Sequence, residues 1–185
     1  MVFAVGFLLS LYLQYNRGID PQTTGLILIA QPVVQMVVSP IAGHWSDRID
    51  PRILATAGMG CTTAGLFILM LTSPATPLWV IVIGLLILGL GYGLFSSPNT
   101  NAIMSSVGVR HLGIASGMVS TMRAIGQMVS LAIAMLVFSA IIGTVQITPV
   151  VYPQLQQSVN VAFGIFVALG IVGVFASYAR GKTLS

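Results

Sequence analysis

Arg123 is the one ionisable side chain that falls deep inside a long apolar run. It lies ten residues past Gly113, about 15 Å along a helix axis at a rise of about 1.5 Å per residue. That is close to the middle of a bilayer. A charge at such depth costs at least about 2.5–3.5 kcal/mol on insertion scales, so it needs protein or water beside it. Gly113, Ser116, Ser120, Arg123, Gln127 and Ser130 recur at spacings of 3, 4, 3, 4 and 3. That rhythm places all six on one face of an α-helix. Met118, Val119, Ile125, Val129 and Leu131 fill apolar positions between them. Two roles fit Arg123: a charge on an interface or transport pathway, or a structural arginine bonded to carbonyls of a neighbouring helix.

Two further runs carry polar residues in apolar surroundings. Gln31 and Gln35 stand one turn apart, accompanied by Pro32 and Pro40. Prolines free backbone carbonyls and kink helices. Such a helix can line a cavity or act as a gate, and equally it can be purely structural. Gly89, Gly91 and Gly93 precede Ser96, Ser97, Pro98, Asn99 and Asn101. The glycines make no phosphate loop, since no lysine follows and no strand precedes them. Close helix packing is their favoured role. Gly113 and Gly117 form a G-x-x-x-G, which permits close approach of a second helix.

Enzyme chemistry finds no constellation. His44 and His111 fall in loops, with no cysteine or carboxylate at metal-ligand spacing. His44, Ser46 and Asp47 lie too close together in sequence to be taken for a catalytic triad. No enzyme activity, metal or cofactor is expected.

The elements that position these residues follow from composition. Of 185 residues, 56% are hydrophobic and 5% charged, with a mean hydropathy of +1.00. A soluble domain carries about 25% charged residues. There is no glutamate, one lysine, six arginines and three aspartates. The net charge of +4 does not indicate nucleic acid, because no basic cluster is present to track a phosphate backbone. Cys61 stands alone in an apolar run, which excludes an internal disulfide and suits a small packing residue. No basic segment precedes the apolar run starting at Met1, so no cleavable signal peptide is expected.

A helix crossing hydrocarbon needs about 20 apolar residues. Six segments are predicted as spans: 1–14, 25–42, 53–72, 78–99, 113–142 and 159–179. The fold class is therefore an all-α membrane protein, a single bundle of six transmembrane helices. A barrel would need alternating apolar and polar residues, which these runs lack. The third and sixth spans hold only Thr and Ser in their middles and read as peripheral, facing lipid. With six spans, one set of loops and tails carries Arg48, Arg52, Arg110, Arg180 and Lys182, and the other carries Arg17 alone. This basic bias predicts a multi-pass protein of the cytoplasmic membrane with both termini inside.

The stretch Gly43-His44-Trp45-Ser46-Asp47-Arg48-Ile49-Asp50-Pro51-Arg52 resembles the signature of the major facilitator superfamily, which joins the second and third helices of a six-helix half. Gly43, Asp47, Arg48 and Arg52 match it. Asp50 stands where glycine is usual, and Pro51 takes one basic position. Gly91-Tyr92-Gly93, Ser97-Pro98-Asn99-Thr100, His111 to Gly117 and Arg123-x-x-Gly126 are similar to the C-terminal half of fourteen-span drug:proton antiporters. So is the opening Leu11 to Gly18. The Gly-Pro pair of the antiporter signature is absent, since Gln127 and Met128 follow Gly126.

The resemblance implies half of a drug exporter that alternates access by rocking against another half. In such a half the first and fourth helices line the cavity, which points to Gln14, Tyr92, Ser96 and Asn99. The second and fifth meet the opposite half, which makes Gln31, Gln35, Ser116, Ser120, Arg123 and Gln127 interface or pathway residues. Asp47 could sit at a helix N-terminus of the partner half, where the dipole favours an anion. Arg48 and Arg52 could meet acidic groups or lipid phosphates, or simply fix topology. The expected partners are the lipid bilayer, a missing N-terminal half or a second copy, and a small-molecule substrate. Proton coupling needs a membrane-embedded carboxylate, and Asp20, Asp47 and Asp50 all fall at or beyond helix ends. The short first segment suggests a chain that starts inside a longer product. The alternative is a truncated or non-transporting bundle with a structural or interaction role.

Overall fold

The computed structural model describes residues 2–46, 48–143 and 151–179. Helix α1 (Val2–Leu11) runs into a π-helical turn, Tyr12–Asn16. Then come α2 (Pro21–Leu28), α3 (Ala30–Ser46), α4 (Pro51–Met70), α5 (Leu78–Ser105), a 3-10 turn (Val109–His111), α6 (Leu112–Ile141) and α7 (Tyr152–Ala179). There is no strand among the described residues. Among the described residues five helical stretches are long and apolar enough to cross a membrane: Pro21–Ser46, Ile53–Met70, Leu78–Ser105, Val109–Ile141 and Tyr152–Tyr178. The segment Val2–Asn16 is shorter, about 22 Å of helix at 1.5 Å per residue against a hydrocarbon core of about 30 Å.

The helices outrun the apolar windows. Helix α5 continues through Pro98 to Ser105 rather than stopping at 99. Thr100 Oγ1 donates to the Ser96 carbonyl at 2.8 Å in that stretch. Helix α7 starts at Tyr152 rather than 159. Pro153 falls in its first turn, where a missing N–H costs no helical bond. Gln156 Nε2 bonds Asn160 Oδ1 at 2.8 Å, and Ser158 Oγ bonds the Gln154 carbonyl at 2.8 Å. Polar side chains thus find partners four residues away, and a helix needs no apolar residue to continue.

Between α2 and α3 the chain breaks at Ile29, three residues before Pro32. Pro32 has no N–H to give the carbonyl four residues back, that of Leu28. The flanking bonds survive: Ile29 N to Gly25 O at 3.1 Å and Val33 N to Ile29 O at 3.1 Å.

The core is gathered toward one end of the bundle. Leu8, Leu9, Tyr12 and Leu13 of α1 and its π turn are fully buried. They meet Leu66 and Leu69 at the end of α4, Ile81 and Leu85 at the start of α5, and Phe163 and Phe166 early in α7. Ala134 and Val137, late in α6, close the cluster. Phe7 and Phe138 add a tilted ring pair 6.3 Å apart. All these positions lie toward the 71–77 turn. At the opposite end, beside the 106–111 turn, α6 stands off from α5.

Glycine sets the closest helix approaches. A Cβ on Gly89 would run into the Gln31 carbonyl of α3. One on Gly91 would lie 2.5 Å from the Thr62 backbone N and 2.7 Å from the Gly58 carbonyl of α4. Opposite faces of one turn of α5 therefore press on different neighbours, the packing role expected for this glycine run. Helix α4 lies between α5 and α7. Thr56 and Ser177 hydroxyls share a bond of 2.9 Å across the α4–α7 contact. The outer edges of that pair expose Phe67, Val172 and Phe175.

Candidate functional site

Helices α1, α3, α5 and α6 surround a cavity of about 930 Å³. Gln31 and Gln35 reach it from α3, Tyr92 from α5, and Arg123 and Gln127 from α6. Phe3 and Phe7 supply an apolar wall from α1. A second cavity of about 550 Å³ opens between α5 and α6 beside the turn that joins them. Ser96 and Asn99 line it together with Phe95, Met118 and Met122. Tyr92 and Arg123 line both cavities. Arg123 Nη2 donates to Ser96 Oγ at 3.3 Å. Among the described residues the arginine meets no carboxylate and bonds a side-chain hydroxyl, not the backbone carbonyls of a neighbour.

Four of the six pathway candidates therefore converge on one cavity. The α6 seam explains which ones. Ser116 and Ser120 lie exposed on α6 and line neither cavity. Ser130 is buried near the core, its hydroxyl donating to the Gln127 carbonyl at 2.8 Å. Cβ atoms added at Gly113, Gly117 or Gly126 would meet nothing within 4 Å. The small-residue face of α6 is thus open from Gly113 to Gln127 and closes at Ser130. Helix α3 exposes Met36, Val37 and Ile41 in the same way.

Of the four cavity candidates, Tyr92, Ser96 and Asn99 line a cavity. Gln14 does not: its Nε2 bonds Ser10 Oγ at 2.8 Å, one turn back. Gln14 lies within the π turn Tyr12–Asn16, and its expected cavity position rested on the resemblance of the first helix, not on spacing.

In the loop motif, a Cβ on Gly43 would come within 3.1 Å of Ser97 Oγ of α5. Ser46 Oγ donates to the Gly43 carbonyl at 2.7 Å and accepts from Asn101 Nδ2 at 3.2 Å. The end of α3 is therefore fastened to α5. Arg48 sits in the turn that follows, its backbone N bonded to Trp45 O at 3.0 Å. Asp47 and the side chain of Arg52 lie outside the described residues, as do Arg180 and Lys182.

A polar clamp at the other end is a feature sequence reasoning missed. Arg17 Nη1 donates to the Pro74 carbonyl at 2.9 Å and also to that of Thr76. Tyr12 Oη donates to Ser73 O at 2.7 Å. Asn16 Nδ2 bonds Tyr152 O at 2.9 Å, and Gln156 Nε2 bonds Thr72 O at 2.8 Å. The end of α1, the 72–76 turn and the start of α7 are thereby tied together. The acceptors are backbone carbonyls, which no side-chain pattern announces. Asp20 caps α2, accepting from Thr23 N at 2.8 Å, with Pro21 next in line. The Thr23 backbone N–H holds the Asp20 carboxyl below its ordinary pKa. That signal was present in the sequence, since Asp before Pro is a helix-start pattern.

Helices long and apolar enough to cross a membrane, a cavity that holds an arginine and the G-x-x-x-D-R sequence from Gly43 to Arg48 describe a membrane transporter bundle. Residues 1–183 match the Major Facilitator Superfamily, and the chain belongs to that family of integral membrane transporters. It is 34% identical over 102 residues to the riboflavin transporter RibZ of Clostridioides difficile, covering 55% of this chain and 22% of that protein. It is 39% identical over 120 residues to the uncharacterized transporter YebQ of Escherichia coli, covering 64% and 26%. It is 31% identical over 132 residues to the multidrug resistance protein Stp of Mycobacterium tuberculosis, covering 71% and 24%. The matched stretches amount to about a quarter of each relative's length. These proteins are transporters, not enzymes.

Proposed function

We propose that the chain is one six-span half of a secondary transporter that exports lipophilic small molecules in exchange for protons, working by alternating access against a second bundle. The observation that carries this reading is the convergence of Gln31, Gln35, Tyr92, Arg123 and Gln127 on one cavity whose flanking α3 and α6 faces are open. Exposed apolar and small-residue faces beside a polar cavity suit a second bundle closing over it. Resistance and vitamin-transport relatives support a small organic substrate. Their greater length supports a second half. In this reading Val2–Asn16 is the first of six spans, and both termini lie in the cytoplasm. The end bearing Arg48 and Arg110 then faces inward, so the α5–α6 cavity opens to the cytoplasm. Gly43, Asp47, Arg48 and Arg52 form the latch that favours one access state. Asp20 caps α2 and Asp50 lies between α3 and α4, so the proton-coupling carboxylate belongs to the second half.

The test is dye export in proteoliposomes under an imposed proton gradient. The whole transporter containing this chain should export, and this chain alone should not. Proton-driven export by the chain alone would refute the half-transporter reading.

A further inference from the structure

Arg123 carries the only charge among the described side chains that line the two cavities. Its hydrogen bond to Ser96 uses one of the five N–H donors of a guanidinium. The other polar groups around it, Gln31, Gln35, Gln127 and Tyr92, are neutral. Among the described residues no carboxylate lines either cavity. In a low-dielectric setting this distribution repels an organic cation and attracts an organic anion. The planar fork of arginine also matches a carboxylate or sulfonate with two parallel bonds. On the other side of Arg123, Phe95, Met118 and Met122 offer an apolar wall, and methionine adapts its shape to aromatic surfaces. Cavities of about 930 and 550 Å³ are the size that drug-like ligands occupy.

We propose that this half binds an aromatic organic anion, with its charged head on Arg123 and its ring system between Tyr92 and the methionine wall of α5–α6. The proposal rests on the transporter reading and names the substrate class for it.

The test uses the full chain in phosphatidylcholine nanodiscs and two dyes on the same xanthene frame, anionic fluorescein and a cationic rhodamine. Binding is read by fluorescence anisotropy. Fluorescein should bind the native chain, and Arg123→Gln should weaken it about tenfold, the loss of one charge-assisted contact. Arg123→Lys should fall between the two, since it keeps the charge without the fork. Rhodamine binding should not weaken in Arg123→Gln. Equal fluorescein affinity in native chain and Arg123→Gln would overturn the proposal. So would parallel loss of both dyes, which marks a structural arginine. If Arg123→Gln does not insert, salt decides: fluorescein binding to the native chain must weaken as salt rises, and salt-independent binding overturns the site. Replacing part of the phosphatidylcholine by phosphatidylglycerol should leave fluorescein bound; abolished binding would assign the arginine to a lipid headgroup and overturn the proposal. Fluorescein binding without export of either dye by the whole transporter would sink the transporter reading and leave this site standing. Export of rhodamine with no fluorescein binding would do the reverse.

Discussion

Arg123 on α6 reaches Ser96 on α5 through a single 3.3 Å bond, and the two helices otherwise stand apart around the cavity they share. A guanidinium held by one neutral hydroxyl is poised for other partners. In the whole transporter, Arg123→Ala should therefore cut transport about tenfold or more, the effect of losing one charged hydrogen bond. Membrane expression should stay normal, because the arginine is exposed and outside the core. Transport rates normalised to the amount of protein in the membrane check this.

The glycines of α5 and α6 should behave oppositely. Gly91→Ala places a methyl against backbone atoms of Thr62 and Gly58 that cannot step aside. Overpacking of this kind costs about 1–3 kcal/mol. Gly117→Ala meets nothing and gains up to about 1 kcal/mol of helix propensity. Thermal unfolding of the chain in detergent should show a lower midpoint for the first and an unchanged or higher one for the second.

Tyr12→Phe should loosen the clamp at the 72–76 turn. Tyr12 is fully buried and its hydroxyl serves the Ser73 carbonyl. Its loss should cost about 0.5–1.5 kcal/mol, the net value of one hydrogen bond. Hydrogen exchange should speed up at Ser73–Thr76 and at the start of α7, while α3 stays unchanged.

The α2 cap carries a pH dependence. The carboxyl of Asp20 is held below its ordinary pKa by the Thr23 N–H. A lowered folded pKa means the stabilisation is complete above the unfolded value, about 3.9. It is lost as pH falls through the lowered folded value. Amide exchange of Thr23, referenced to intrinsic rates, should rise only in that acid range for the native chain. In Asp20→Ala it should be fast at every pH.

Much of the cavity was legible in the sequence. Arg123 and Gln127 share a helical face by spacing alone, and Gln31 and Gln35 stand one turn apart, so helical periodicity was enough to group them. Their cost in hydrocarbon marked them as groups needing partners. Periodicity could not tell how far along that face the cavity reaches, so Ser116 and Ser120 share the spacing although they line neither cavity. Gln14 was named from the resemblance of the first helix to a cavity-lining one, and it sits in the π turn bonded back to Ser10. The clamp of Arg17 on Pro74 and Thr76 was hidden because its acceptors belong to the backbone. Helix ends outran the predicted spans because hydrophobic length measures lipid thickness, and helical hydrogen bonding continues beyond it.

The open faces of α3 and α6 give the most direct test of the half-transporter reading. Single cysteines are placed by Ser120→Cys on the α6 face and Phe175→Cys on the outer edge of α7, with Cys61→Ala in both. Each is exposed to a bilayer-soluble maleimide, first in this chain alone and then in the whole transporter. Both sites should react in the chain alone. In the whole transporter the Phe175 site should react as before, and the Ser120 site should be protected by the second bundle. Equal reactivity of the two sites in the whole transporter would contradict the account.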